Sequence, residues 1–182
     1  LDMKYRKILQ YFPKRLALEV YVPKKMYDSL QVNTDNGRIV MDNFSAKDIN
    51  LETDNGSIQM ESVKTNSIVA TSKNGRIEGH NIETDTMEAF TDNGNIEGNN
   101  IFANFVDVKT HNGRIHFIDV TGDMIGEVNN GKIILDVDDL NRTVNLSTDN
   151  GRIEIKTKEK PTNATIISQI NNGRVEIFGE SS

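Results

Sequence analysis

Residues 34–39 read Thr34-Asp35-Asn36-Gly37-Arg38-Ile39, and close copies of this stretch recur through the rest of the chain. Its Asn-Gly pair occurs eight times, and successive glycines are separated by 19, 19, 19, 19, 18, 20 and 22 residues. So constant a spacing indicates a repeat architecture in which each unit packs against its neighbours. The pairs, which we interpret as structural turns, are Asn36-Gly37, Asn55-Gly56, Asn74-Gly75, Asn93-Gly94, Asn112-Gly113, Asn130-Gly131, Asn150-Gly151 and Asn172-Gly173.

Apolar residues occupy fixed positions in every repeat, and the second residue after glycine is always Ile or Val. Between these positions apolar and polar residues alternate, as in Ile49-Asn50-Leu51-Glu52. Alternation of this kind is typical of strands with one buried face. We therefore predict an all-β fold, a single parallel β-solenoid (β-helix) of seven to eight coils of about 19 residues. The crossover rule favours a right-handed coil, and an antiparallel meander is the alternative that Asn-Gly turns also permit.

The Asn-Gly pairs are expected to form tight corners, because both residues tolerate positive φ. A threonine stands two residues before Asn in five of the repeats. Its place in the strand alternation predicts that it faces inward and bonds a neighbouring backbone group or the turn itself. These threonines are Thr34, Thr53, Thr91, Thr110 and Thr148.

The ends of the chain depart from the repeat, as the caps of a repeat protein should. Residues 1–25 are predicted to form an N-terminal cap, with an alternating strand from Leu16 to Val22 and a basic segment of net charge +5. Residues 26–182 are predicted to form the solenoid array with a C-terminal cap over Val175 to Phe178, in one continuous domain. The longest interval contains Lys156 to Lys160, which we expect to leave the rod as a loop.

Composition narrows the classes of function. The chain has 182 residues, a net charge of −6 and no cysteine, which excludes disulfides and thiolate chemistry. The acidic balance argues against nucleic acid as a partner, and no apolar run is long enough to span a membrane. Because the chain opens Leu1-Asp2-Met3, we interpret it as a trimmed piece, and a membrane anchor is expected only in an upstream segment.

The residue after each glycine gives the main candidate site. Stacked coils would align these residues into a cationic stripe, which could bind an anionic polymer such as teichoic acid or another acidic glycan. The alternative is local compensation by Glu78, Glu97, Glu154 and Glu176, which lie two residues further on. The cations of the candidate binding stripe are Arg38, Arg76, Arg114, Lys132, Arg152 and Arg174.

No catalytic residue, cofactor site or metal site is predicted. His80, His111 and His116 occupy different positions of the repeat, whereas zinc needs three or four ligands within tetrahedral reach. A stack of the aspartates before Asn-Gly could suggest calcium, but the glycine-rich nonapeptide of calcium-binding β-rolls is missing, and an Asx-turn is the favoured interpretation. We therefore expect a protein that is not an enzyme.

Two stretches carry a resemblance to a known family. The stretch Leu18-Glu19-Val20-Tyr21-Val22-Pro23 and the recurrent Thr-x-Asn-Gly-x-Ile unit resemble a bacterial adhesin family, a domain of unknown function on cell-envelope proteins. The resemblance covers the chain from about Leu16 onward. It implies a bacterial β-solenoid on a membrane-anchored or exported protein, with no established catalytic residues.

The expected function is a non-catalytic scaffold or adhesin-like binding module of the cell envelope. It would be extracytoplasmic, and its flat faces would be presented to a cell-wall polymer or to another envelope protein. One alternative is an envelope-stress or regulatory protein that contacts a membrane partner. Another is a carbohydrate-active enzyme built on a β-helix.

Overall fold

A computed structural model describes residues 18–158 and 161–177, and the regular structure in these residues is β-strand alone. Every strand pairing is parallel, as predicted, and there is no helix in the described residues. The strands are β1 (Tyr27–Thr34), β2 (Ile39–Thr53), β3 (Ile58–Lys64), β4 (Ser67–Ser72), β5 (Ile77–Glu83), β6 (Thr86–Asn93), β7 (Ile96–Phe102), β8 (Phe105–Val120), β9 (Asp123–Val137), β10 (Thr143–Thr157) and β11 (Thr165–Ile177).

The coils stack so that equivalent residues of successive repeats lie side by side. Strands that follow the Asn-Gly corner form one stack, in the order β2, β3, β5, β7, β8, β9, β10 and β11. Strands that precede the corner form a second stack, which begins with β1 on β2. The result is the predicted β-solenoid of about eight turns, and its handedness stays a prediction.

Stacking in register explains why the same apolar positions recur. The column two residues after glycine runs from Ile39 to Val175, and its members from Ile58 to Ile153 are fully buried. Neighbouring coils share this core, so that no coil has to bury its apolar face alone. A continuous core of aliphatic columns therefore runs along the rod.

The Asn-Gly corner has a different requirement from the one we predicted. Positive φ was expected here, but of the eight corner glycines only Gly131 and Gly173 adopt it, at 151° and 150°. The corner needs glycine because of stacking: a Cβ on Gly94 would lie 2.1 Å from the carbonyl oxygen of Gly75 in the preceding coil. The prediction was wrong because Asn-Gly preferences come from isolated hairpins, whereas here the backbones of successive turns are in contact.

Positive φ occurs instead at a second corner, six residues after glycine. Its φ angles lie between 51° and 58°, in the left-handed region that Asn and Asp tolerate better than most residues do. This corner was not predicted from the sequence. It is formed by Asn43, Ser62, Asn81, Asn100 and Asp119.

The threonines near the Asn-Gly corner face inward, as predicted. The hydroxyl of Thr53 donates to the carbonyl oxygen of Gly37 at 3.1 Å, and Thr91 and Thr110 donate in the same way to Gly75 and Gly94 at 3.0 Å. Each hydroxyl therefore bonds to a glycine of the preceding coil. In this way these three buried hydroxyls tie their corners to the preceding one. Thr148 also faces inward, but its hydroxyl has no hydrogen-bond partner among the described residues, so the predicted bond is not made there.

The strand predicted in the N-terminal cap does not form in the described part of that cap, and the cap itself stays a prediction. Leu18 to Pro23 form no strand, and Leu18 and Tyr21 are each 86% exposed. The first strand of the described residues is β1, where the ring of Tyr27 stacks on Phe44 at 5.4 Å. The alternation was misleading from Leu18 to Val22, because period two describes a strand only where a neighbouring strand pairs with it. Residues 1–17, with most of the basic segment, lie outside the described residues.

The other end also differs from the sequence-based expectation. Lys156 and Thr157 continue β10 and so do not belong to a loop, while residues 159–160 lie outside the described residues. Val175 and Ile177 belong to β11, which forms the last coil, and Phe178 is outside the described part. The C-terminal cap therefore remains a prediction.

Candidate binding face

The candidate face lies on the outer side of the strands that follow the Asn-Gly corner. The Ile/Val column two residues after glycine points inward, and the residues on either side of it therefore point outward. Arg114, Lys132, Arg152 and Arg174 lie next to one another in successive coils, in strict register. In the N-terminal half Ser57 separates Arg38 from Arg76. The structure thus brings all six predicted cations into one stripe.

Carboxylates flank this stripe, and some of them bind the cation of their own coil. Arg76 Nη1 lies 2.7 Å from Glu78 Oε1, and Arg174 Nη1 lies 3.2 Å from Glu176 Oε1. The two side chains of each pair extend from one strand, two residues apart, and so lie on the same face. This is the local compensation that the spacing predicts.

Other pairs connect different coils. Arg114 Nη2 lies 2.6 Å from Glu97 Oε1 of the preceding coil, and Lys132 Nζ lies 2.7 Å from Glu154 Oε2 of the following one. Arg152 donates to Glu176 in the coil after it. Between Lys132 and Arg174 the charges therefore form a network and not isolated pairs.

Glu154 is the most strongly perturbed acid of the face. Hydrogen bonds from Lys132 and from Lys156, whose Nζ lies 3.0 Å from Glu154 Oε1, lower the pKa of this carboxyl to about 2. The same contact raises the pKa of Lys156. Glu154 consequently remains ionised down to strongly acidic pH.

Arg38 differs from the other members of the stripe. Its guanidinium donates to the side-chain oxygen of Gln59, and the side-chain nitrogen of Gln59 in turn donates to Glu78. Among the described residues no carboxylate lies within ion-pair distance of Arg38. Its positive charge is thus the least neutralised of the six.

The face as a whole is balanced in charge. A third outward column, five residues after glycine, adds Asp42, Glu61 and Asp136 against Lys156. With this column included, the described face has seven cationic and seven carboxylate side chains. The cationic stripe therefore lies on a face whose carboxylates balance its charge, with a local excess of positive charge at Arg38.

The aspartates before the Asn-Gly corner bond sideways to the next coil. Lys73 Nζ lies 2.8 Å from Asp54 Oδ1, and His111 Nδ1 lies 2.9 Å from Asp92 Oδ1. Asp149 accepts a hydrogen bond from the next coil as well. The Asx-turn interpretation is not what these contacts show. Within the described ranges, no group of three or more His, Cys, Asp or Glu side chains could hold a metal ion.

The asparagines of all eight turns form a hydrogen-bonded ladder, which was not predicted from the sequence. In each step the side-chain Nδ2 donates to the Oδ1 of the preceding coil, at 2.8 to 3.1 Å. An amide supplies both a donor and an acceptor, so that one residue type can bond in both directions along a stack. The ladder runs beside the charged stripe along the rod, from Asn36 to Asn172.

The comparisons with known proteins identify a family. A family model described as Toastrack DUF4097 matches residues 2–181. No curated protein matches the chain, and no solved structure matches it. The described residues contain no helix of the length and hydrophobicity needed to cross a membrane.

Proposed function

The chain belongs to the Toastrack DUF4097 family, a domain of unknown function, and from this premise we propose that it is a non-catalytic scaffold of the bacterial cell envelope that binds an anionic polymer along its charged stripe. The β-solenoid is consistent with a binding or scaffold module. Our proposal goes further and names the charged stripe as the binding face and an anionic polymer as the ligand. It extends the adhesin-like function that the sequence led us to expect.

One observation supports this proposal most directly: guanidinium and ammonium groups recur in register along the rod. Arg114, Lys132, Arg152 and Arg174 occupy successive coils, and neighbouring strands are about 4.8 Å apart. A polymer with regularly spaced phosphates or carboxylates could contact several of these groups at once. Multivalent contact of this kind turns weak individual contacts into measurable avidity.

The carboxylates of the face do not prevent such binding. The side chains of Arg76, Arg114 and Arg152 remain 42–53% exposed in their ion pairs. Exposed pairs contribute only about 0–1 kcal/mol, and a cation can therefore exchange its carboxylate for a polymer phosphate at little cost. Binding through such exchange should weaken steeply as the salt concentration rises.

The charge balance of the face supports a second candidate, a protein partner in the envelope. A partner surface that carries both cations and carboxylates would complement the charged face more fully than a polyanion would. A polyanion is repelled by Glu97 and Glu154 while it is attracted by the cations. This candidate includes the regulatory function that contacts a membrane partner.

The test is co-sedimentation with purified bacterial cell walls at low and moderate salt. The Arg38/Arg76/Arg114/Arg152→Gln variant removes four cations from the stripe. The control, Lys47/Lys64/Lys73/Lys109→Gln, removes four cations that lie outside it. We expect the wild type and the control to sediment at low salt, and the stripe variant to bind at least tenfold more weakly.

Both variants must first show the wild-type circular dichroism spectrum and a cooperative melt. Equal loss of binding in the two variants would mean that net charge matters and not the stripe. Absence of sedimentation by the wild type would reject the polymer and leave the protein partner as the candidate.

A further inference from the structure

The two ends of the described rod expose residues that are buried in its middle. In the column two residues after glycine, Ile133 and Ile153 are fully buried, whereas Val175 in the last coil is 38% exposed. At the other end Leu30 and Val32 of β1 are only half-buried, although Ile49 and Leu51 beside them are buried. The apolar core of the described part is therefore open along β11 at one end and along β1 at the other, while Ile39 and Met41 at the start of β2 stay buried.

The same two ends have unpaired strand edges. Within the described residues β11 pairs only with β10, and β1 pairs only with β2. Each outer strand thus presents backbone N–H and C=O groups on its free side, which can pair with another strand. Since all strands of a stack run in the same direction, the free edge of β11 and that of β1 are complementary in polarity.

The asparagine ladder gives the two ends a matching pair of groups. Every Nδ2 points toward the N-terminal end of the rod, and the ladder therefore stops at Asn36 with a side-chain donor that has no acceptor among the described residues. At the C-terminal end the Oδ1 of Asn172 has no donor from a following coil in that same part of the chain. Asn36 is thus the next rung that Asn172 lacks.

The columns of the core also continue from one end to the other. If the register of the chain is extended by one coil, Leu30 lies beside Ile166, Asn36 beside Asn172 and Ile39 beside Val175. Gly37 lies beside Gly173, and glycine is the residue that each corner needs for the close approach of the preceding turn.

We propose that a second copy of this chain stacks head to tail on the first, with the β1 and β2 edge of one copy on β11 of the other. The contact is heterologous and does not close on itself, so that continued addition produces an open filament of rods. This interaction is separate from the charged stripe, which stays on the side of the filament. It would lengthen that stripe from one molecule to the next.

The test measures the association of the full chain by sedimentation velocity over a wide concentration range. The Asn36→Asp variant blocks the β1 end of the rod, its head; the β11 end is its tail. The aspartate keeps the acceptor for Asn55 but replaces the free donor with a carboxylate that faces the Oδ1 of Asn172 in the other copy. Val175→Lys blocks the tail. The wild type is expected to form a ladder of oligomers, and each variant should associate at least tenfold more weakly.

A mixture of the two variants provides the decisive control. The intact tail of Asn36→Asp can accept the intact head of Val175→Lys, and the 1:1 mixture should form dimers that do not grow further. Asp35→Asn serves as the matched substitution at the same corner and should assemble like the wild type. If Val175→Lys does not fold, Ile166→Lys replaces it, since the half-buried side chain of Ile166 on β11 lies in the inward column that Leu30 of the second copy would extend.

Three results would overturn the proposal. The wild type could remain monomeric at all concentrations. The mixture could fail to dimerise while Val175→Lys alone abolishes assembly, which would indicate tail-to-tail contact. Lastly, assembly could require removal of residues 1–17, which would make that segment the occupant of the β1 edge in the intact chain.

Discussion

Five successive coils have two corners that change the direction of the chain by different means. The Asn-Gly corner has ordinary φ at most of its glycines, but the carbonyl of the preceding coil leaves no room for a side chain. The corner at Asn43, Ser62, Asn81, Asn100 and Asp119 has room for a side chain but requires positive φ. Glycine is therefore selected by crowding between coils, and asparagine by the conformation of a single residue. The comparison shows that the residue type at a corner does not by itself reveal why it is required. The packing around that residue must also be known.

The largest expected effect is at the Asn-Gly corner. Gly94→Ala places a Cβ against the backbone of Gly75 and should lower the free energy of unfolding by about 3 kcal/mol or more. Gly37→Ala is the matched control, because its Cβ would meet only the side chain of Thr34, which can move. Urea denaturation of both variants measures the difference. Equal losses would mean that stacking is not the reason for glycine.

The second effect belongs to the positive-φ corner and has the opposite residue preference. Asn100→Val puts a β-branched residue at a φ of 58° and should cost roughly 1–2 kcal/mol. Asn100→Gly should cost less, since it relieves the conformation and loses only the hydrogen bond to Asn81. Denaturant midpoints of the two variants provide the measurement. A valine variant as stable as the glycine variant would contradict the assignment.

A smaller effect should come from the asparagine ladder. Asn74→Ala removes one bond to Asn55 and one from Asn93, and should cost about 1 kcal/mol. Asn36→Ala removes a single intrachain bond at the end of the ladder and should cost about half as much. Thermal melts of the two variants, compared with the wild type, measure this ratio. A larger loss at Asn36 would show that the bonds of the ladder are not equivalent.

The smallest effect concerns the charged face. Its contribution to the free energy of unfolding should fall in acid, whereas the contribution of the glycine and asparagine contacts at the corners should not. The folded state lowers the pKa of Glu154 from 4.5 to about 2, so that this group stabilises the fold above pH 4.5 and loses that contribution as the pH falls through 2. Glu154→Gln should flatten this part of the stability profile by less than about 1 kcal/mol. Urea denaturation from pH 5 to pH 2 tests it. An unchanged profile would mean that Lys132 and Lys156 do not stabilise the carboxylate.

The sequence predicts the architecture well because the repeat determines the register. Once the glycines recur at 19 residues, Ile58 must lie beside Ile77, and the inward face and the cationic stripe follow. The contacts between neighbouring coils are harder to predict. That Glu97 binds Arg114 of the next coil, and not a residue of its own coil, depends on how long side chains cross a 4.8 Å gap.

The second corner shows a different limit. Asparagine or a similar residue recurs six positions after glycine, as at Asn43, Asn81 and Asn100, and this signal was present in the sequence. Asn-Gly is the better-known sequence signal of positive φ, and it occurs in the same repeats. The N-terminal alternation from Leu16 to Val22 failed for the opposite reason: it has the local pattern of a strand, but Leu18 to Val22 have no partner strand among the described residues.

The asparagine ladder also affects how the protein ages chemically. Asn-Gly is the dipeptide most prone to deamidation, because the glycine nitrogen can attack the asparagine side chain and form a cyclic imide. In the folded rod the amide of Asn74 is held by Asn55 and Asn93, and its backbone is fixed in a stacked turn. An aspartate in its place would lack the donor to Asn55. Deamidation of one asparagine would therefore weaken the ladder whose hydrogen bonds slow that reaction. Folding thus slows the deamidation of the Asn-Gly turns, and a chain that unfolds often should accumulate isoaspartate at eight sites.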